Sequence, residues 1–191
     1  MHLFINKFLN RSEPIKYQPI KMKNEELIAL LKLQSIHGIG DVTLKKLIQT
    51  CGSAQQVLQE SEIVLESIEG IGKSTAWAIK NKIDVQKAEQ ELEFILKNNI
   101  QAVSFKEENY PERLKHCYDG PVLLFTQGHI QWQNQKVISI VGTRNITNYG
   151  VEFCQKLVQD LLPFNPIIVS GFAFGVDITA HAAAIHHQLQ T

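Results

Sequence analysis

A chain of 191 residues, 44% hydrophobic and without an apolar run near the roughly 20 residues of a membrane helix, has material for one or two modest cores. Its 19 basic side chains equal its 19 acidic ones, so any affinity for a polyanion has to be local rather than a property of the whole surface. Cys51, Cys117 and Cys154 are widely spaced with no CxxC pair, which argues against a disulfide framework or a zinc site; with no secretory signal pattern at the start, a reducing, cytoplasmic setting is expected.

Residues 1–21 mix Phe4, Ile5, Phe8 and Leu9 with Lys7, Arg11, Lys16 and Lys21 and break at Pro14 and Pro19, which reads as an N-terminal extension or a disordered arm. Residues 22–98 read as a helical domain. Leu27, Ile28, Leu30 and Leu31 predict a helix over 24–33, Ile36-His37-Gly38-Ile39-Gly40 a turn, and Val42 to Ile48 a second helix. The pattern recurs as Ile68-Glu69-Gly70-Ile71-Gly72 before a helix over 73–83, with Gly70 placed 32 residues after Gly38 (70 − 38). Such a pair resembles tandem helix-hairpin-helix motifs in a SAM-like helical domain, which hold nucleic-acid backbones through first-turn N–H groups. On that reading Gly38, Gly40, Gly70, Gly72 and Lys73 are secondary backbone contacts, with Lys45, Lys46 and Lys80 adding positive charge. The alternative is that the turns are only tight connectors between core helices, or a protein-docking module.

Residues 84–98 predict a linking helix with the stripe Val85, Ala88, Leu92 and Ile95. From residue 99 to 191 the pattern turns α/β. Short strands are expected at Ile100 to Phe105 and Val122 to Phe125, packed on or at the edge of the sheet that follows, and 129–135 is a polar connector. Val137 to Val141 and Ile167 to Val169 are β-branched runs enclosing a helix whose apolar face is Val151, Cys154, Leu157, Val158, Leu161 and Leu162, ended by Pro163 and Pro166. Strand, helix and strand at this spacing form a βαβ crossover with parallel strands. Each strand runs into a small loop, Gly142-Thr143-Arg144-Asn145 and Ser170-Gly171-Phe172-Ala173-Phe174-Gly175, at the edge where open parallel sheets bind ligands. An anion is the expected guest: Gly142, Gly171 and Gly175 for close approach, Thr143 and Ser170 as hydroxyl donors, Arg144 as a planar fork for phosphate. Phe172 and Phe174 are expected either to stack on bases or, with more weight, to enter the core.

VGTRNITNYG followed by SGFAFGVDITAHAAA closely resembles the DNA-processing protein A (DprA/Smf) family, and Tyr110-Pro111-Glu112-Arg113-Leu114 and Asp119-Gly120-Pro121-Val122-Leu123-Leu124-Phe125 resemble the lead-in to its Rossmann-like domain. The resemblance implies a doubly wound parallel sheet, single-stranded-DNA binding in natural transformation with Arg144 in the pocket, delivery of incoming DNA to the RecA recombinase, a homodimer, and no membrane or cofactor. The chain stops where that family's third strand would begin, so an incomplete Rossmann-like domain is expected, with a non-functional remnant as one alternative.

An enzyme is not expected. GxGxxG and GxSxG are absent, and no acidic residue closes the second strand. Asp177 and His181 share a helix face at i, i+4, with His186 and His187 one turn on, and read as a helix-start carboxylate and a packed histidine rather than catalysts or metal ligands. A Rossmann-like nucleotide phosphoribohydrolase is the enzymatic rival.

Overall fold

In a computed structural model that describes residues 22–128 and 135–191, the 32-residue repeat governs the first half of the chain. The readings made for residues 1–21 and for most of the 129–135 connector lie outside the described residues. Helix α1 (Asn24–Gln34), a glycine turn and α2 (Asp41–Cys51) form one unit of the repeat; α4 (Glu62–Glu66), a second glycine turn and α5 (Lys73–Asn81) form the other. The two turns match in detail. Ser35 and Ser67 each end a helix in right-handed backbone and return a hydroxyl to a carbonyl of the last turn, Lys32 O at 2.6 Å and Val64 O at 2.7 Å. Gly38 and Gly70 take φ of +89° and +81°, which no β-carbon tolerates cheaply. Ile36 with Ile39, and Ile68 with Ile71, turn inward from the two loops. The apolar positions repeat too: Leu33 and Leu65, Leu44 and Ala76, Leu47 and Ile79 are all buried. Each such side chain contributes about 1.5–3 kcal/mol if large, so the repeat is the seam of the core.

Helix α3 (Ala54–Gln59) bridges the two units, its start held twice: Ser53 Oγ accepts from Gln56 N, and the Glu26 carboxylate of α1 accepts from Ala54 N at 2.7 Å and Gln55 N at 3.2 Å. Helix α6 (Val85–Lys97) was expected to link two domains. It instead packs along α1, burying Ala88 and Ile95, and belongs to the helical core.

Strands β1 (Gln101–Ser104) and β2 (Leu123–Thr126), with the short α7 (Glu112–Lys115) between them, correct a second expectation. Among the described residues they pair only with each other, antiparallel, Gln101 opposite Thr126 and Ser104 opposite Leu123. Val122 and Leu123 are part of the helical core, against which Ile100, Ala102 and Phe105 also pack. The chain therefore divides into compact units between Gln127 and Gly128, not at residue 98.

The second unit holds the parallel pair β3 (Val137–Ser139) and β4 (Ile167–Val169), Val137 opposite Ile167, joined by α8 (Asn148–Asp160) as the crossover. Helix α9 (Val176–His186) packs on α8, and the chain after it returns beside β4, where Ile168 N donates to Gln190 O at 2.9 Å. Cys154, Val158, Ile168, Ala180 and Ala184 form this core. Among the described residues no helix is long and apolar enough to cross a membrane.

Candidate functional site

The loops after β3 and β4 lock together, and the lock is made of backbone. Val176 N, at the start of α9, donates to Thr143 O at 3.1 Å. A β-carbon on Gly175 would lie 2.2 Å from Thr143 O and 2.6 Å from Arg144 O, and Gly175 has φ +84° and ψ −125°, so this contact exists only because glycine stands there. The other two loop glycines serve the same packing. A β-carbon on Gly142 would meet Val176 Cγ2 at 2.6 Å, and one on Gly171 would meet Asp177 Oδ2 at 2.8 Å. Their missing side chains make room for the protein's own atoms rather than for a guest.

Asp177 explains why. Only 4% exposed, it accepts from Gly171 N at 3.1 Å and from Ala173 N at 3.4 Å through one carboxylate oxygen. The residue read as a helix-start carboxylate is thus the internal anion of the second loop, holding two of its backbone amides. Ser170 is likewise committed, its hydroxyl donating to Ile140 O at 2.7 Å. Thr143 is less so: its Oγ1 accepts from Asn145 N at 3.1 Å, with a long 3.5 Å approach to Asn145 O. Arg144 is exposed and makes neither ion pair nor hydrogen bond among the described residues. The fork for an anion is free, while half of the surrounding donors are spent.

The aromatic residues of the second loop reverse the weight given to the core. Phe172 is 59% exposed and Phe174 72%. Phe172 also sits at φ +59°, left-handed backbone that costs a non-glycine residue of order 1 kcal/mol or more. Its ring tilts against His181, centroids 5.5 Å apart.

His181 Nδ1 lies 2.6 Å from Thr191 Oγ1, whose hydroxyl donates to Ile168 O, so the proton between them belongs to the imidazole. Burial pushes this histidine below its ordinary value of about 6.5, against an opposing pull from the Asp177 carboxylate. A histidine with a depressed folded pKa binds its proton more tightly when unfolded, so stability is lost as pH falls below about 6.5. The second unit should therefore melt lower at about pH 5 than at about pH 7.5, with a smaller difference in His181→Gln, as thermal scans of both proteins would show. Among the described residues no three His, Cys, Asp or Glu side chains gather as a metal site.

In the first unit most of the proposed lysines are engaged. Lys45 Nζ donates to Cys117 O at 3.3 Å, Lys80 Nζ to Leu58 O at 2.7 Å, and Lys46 stands 4.0 Å from the Glu69 carboxylate. Lys73 forms no such bond among the described residues. Gly40 and Gly72 are the helix-start glycines, at ordinary φ of −94° and −85°, and a β-carbon on either would touch nothing within 4 Å. The hairpins differ in charge: beside Gly40 stands Asp41, its Oδ1 accepting from Val122 N at 2.8 Å, and beside Gly72 stands Lys73.

These features define a mixed α/β protein whose exposed functional groups, an arginine and two phenylalanines, gather on joined loops at the carboxyl edge of a parallel strand pair. Residues 101–191, just under half of the chain, match the family model described as DNA recombination-mediator protein A, and the chain is similar to proteins named DprA and Smf. It is 35% identical to the DNA processing protein DprA of Bacillus subtilis over 113 residues, covering 58% of this chain and 38% of that one. With Protein Smf of Synechocystis it shares 28% identity over 168 residues, 86% of this chain and 42% of the relative. The X-ray structure of DprA from Streptococcus pneumoniae superposes with a TM-score of 0.62 at 25% identity, covering 88% of this chain and 56% of that one. The chain thus spans about two fifths of the length of these curated relatives. The family match begins at β1, inside the first compact unit.

Proposed function

We propose that this protein binds unpaired DNA during the processing of DNA taken up in transformation, without chemistry of its own. The observation that carries the reading is Arg144, exposed and unpartnered among the described residues, on a loop joined to one that holds Phe172 and Phe174 in solvent. Exposure of two large rings, one of them in left-handed backbone, opposes folding; a base stacked on them in the bound state offsets that cost. Arg144 takes a phosphate, assisted by Thr143, while Gly142, Ser170, Gly171 and Gly175 shape the loops. This is the βαβ portion of a Rossmann-like domain on the same reading.

The glycine turns are read as tandem helix-hairpin-helix motifs. The second, with Gly70, Gly72 and Lys73, is the better phosphate site, because Asp41 repels an anion from the first. Transfer of the strand to the RecA recombinase and assembly as a homodimer follow from the family resemblance and belong to this proposal.

The test is fluorescence anisotropy with labelled oligothymidylate and a duplex of equal length between about 50 and 200 mM salt. Tighter binding of the single strand, weakening with salt, is expected. Equal affinity for duplex would sink the reading. Incubation with adenosine monophosphate should release no adenine; free base would move the protein to the phosphoribohydrolase class.

A further inference from the structure

On α8 the inward side is set by Cys154 and Val158, fully buried, with Val151, Leu157 and Leu161 half-buried beside them. Two large aromatic residues stand on the opposite side. Tyr149 is 76% exposed and Phe153 58%, and at i, i+4 their rings form a step with centroids 6.3 Å apart and planes 30° from parallel. Core packing explains neither ring. A solvent-facing helix position normally carries a polar or charged side chain, as Glu152, Gln155 and Lys156 of the same helix do.

The step is fixed relative to Arg144. Thr147 caps α8 by accepting from Gly150 N at 3.2 Å, and a β-carbon on Gly150 would lie 2.8 Å from Ile146 Cγ1. Ile146 therefore seats directly against the first turn, so that the arginine loop and the aromatic step form one piece. Tyr149 stands five positions after Arg144, a reach of at most about 18 Å.

We propose that Tyr149 and Phe153 are a second base-stacking platform, carrying an unpaired strand from the loops at the sheet edge onto the first two turns of α8. The occupant is argued from charge: Arg144, five positions before Tyr149 in the chain, is unpaired among the described residues and suited to the phosphate between two stacked bases. Glu152 is exposed on the same helix, at i, i+3 from Tyr149, and lowers affinity for a polyanion, so its removal tightens binding. Farther along, Lys156 is held by Asp160 at 2.8 Å, and the platform ends there. This inference rests on the reading of the protein as a single-strand binder and extends it to residues outside the two loops.

The test uses the full chain, oligothymidylate, and a strand of equal length made of abasic sugar-phosphate. Stacking requires a base, whereas Arg144 requires only phosphate. The paired change Tyr149→Ala with Phe153→Ala should weaken oligothymidylate binding by about tenfold or more and leave the abasic strand unaffected. Tyr149→Phe with Phe153→Tyr should restore wild-type affinity, and Glu152→Gln should raise it on both strands. Circular dichroism of each variant checks the fold, since only surface rings are removed. Wild-type affinity for oligothymidylate in the alanine pair overturns the platform alone. A wild-type chain that binds neither strand overturns the underlying reading and this one with it. Lost self-association at unchanged DNA affinity would assign the rings to a contact between copies of the chain and would also overturn it.

Discussion

Gly175→Ala is expected to abolish stable folding of the second unit or to lower its melting temperature by about 15 °C or more. Two independent penalties meet at this residue. Backbone with φ +84° and ψ −125° is a region essentially restricted to glycine, and holding alanine there costs about 1–3 kcal/mol. The added methyl would also enter the 2.2 Å gap to Thr143 O and the 2.6 Å gap to Arg144 O. Those are backbone atoms of a loop already held by Val176 N, so relief requires the two loops to part, a further overpacking cost of about 1–3 kcal/mol. The sum rivals the whole stability of a small unit. Scanning calorimetry, or hydrogen exchange followed at β3, β4 and α9, checks it. A variant melting within about 2 °C of wild type would mean that the loops are not joined in this way.

That expectation reverses the way the glycines read as sequence. Gly142, Gly171 and Gly175 looked like positions kept bare for a ligand, because a glycine in a strand-to-helix loop gives the same pattern whether a phosphate or the protein's own atoms fill the space. Only the folded chain separates the cases, and here the fillers are Val176, Asp177 and the Thr143 carbonyl. Gly40 and Gly72 are the opposite case, open above the helix starts with nothing of the protein within 4 Å. Asp177 was hidden for a related reason: its bonds run backward to Gly171 and Ala173 and exist only once the loop has curled over the helix start.

Local periodicity was legible wherever one helix face meets one core. The 32-residue repeat and the inward face of α8 follow from spacings of three and four, and the parallel βαβ from two β-branched runs around that helix. Partner choice was not legible. The runs at 101–104 and 123–126 carry the apolar content of an edge strand, which is equally suited to a helical core, and here they pair with each other and pack into that core. Phe172 and Phe174 misled because alternation around Ala173 suggests a pleat, yet the loop's left-handed residue turns both rings outward. The exposed step of Tyr149 and Phe153 had a signal that was available: both fall on the side of the helix opposite Cys154 and Val158.

Arg144→Ala should weaken oligothymidylate binding by about tenfold to a hundredfold, the range expected when a charge-assisted bond of about 1.5–3 kcal/mol is removed. The upper part of that range is favoured by what the neighbours have already spent. Gly171 N and Ala173 N are held by Asp177, and Ser170 donates to Ile140 O, so among these donors only the Thr143 hydroxyl is left to back up the guanidinium. Loss of one phosphate contact on a single strand should also flatten the slope of log affinity against log salt by about 0.7. Arg144→Lys separates charge from geometry: an ammonium keeps the salt slope but lacks the planar fork, so affinity should fall only partway while the slope stays near wild type. If alanine and lysine weaken binding equally with no change in slope, the arginine acts by shaping its loop and not by holding a phosphate.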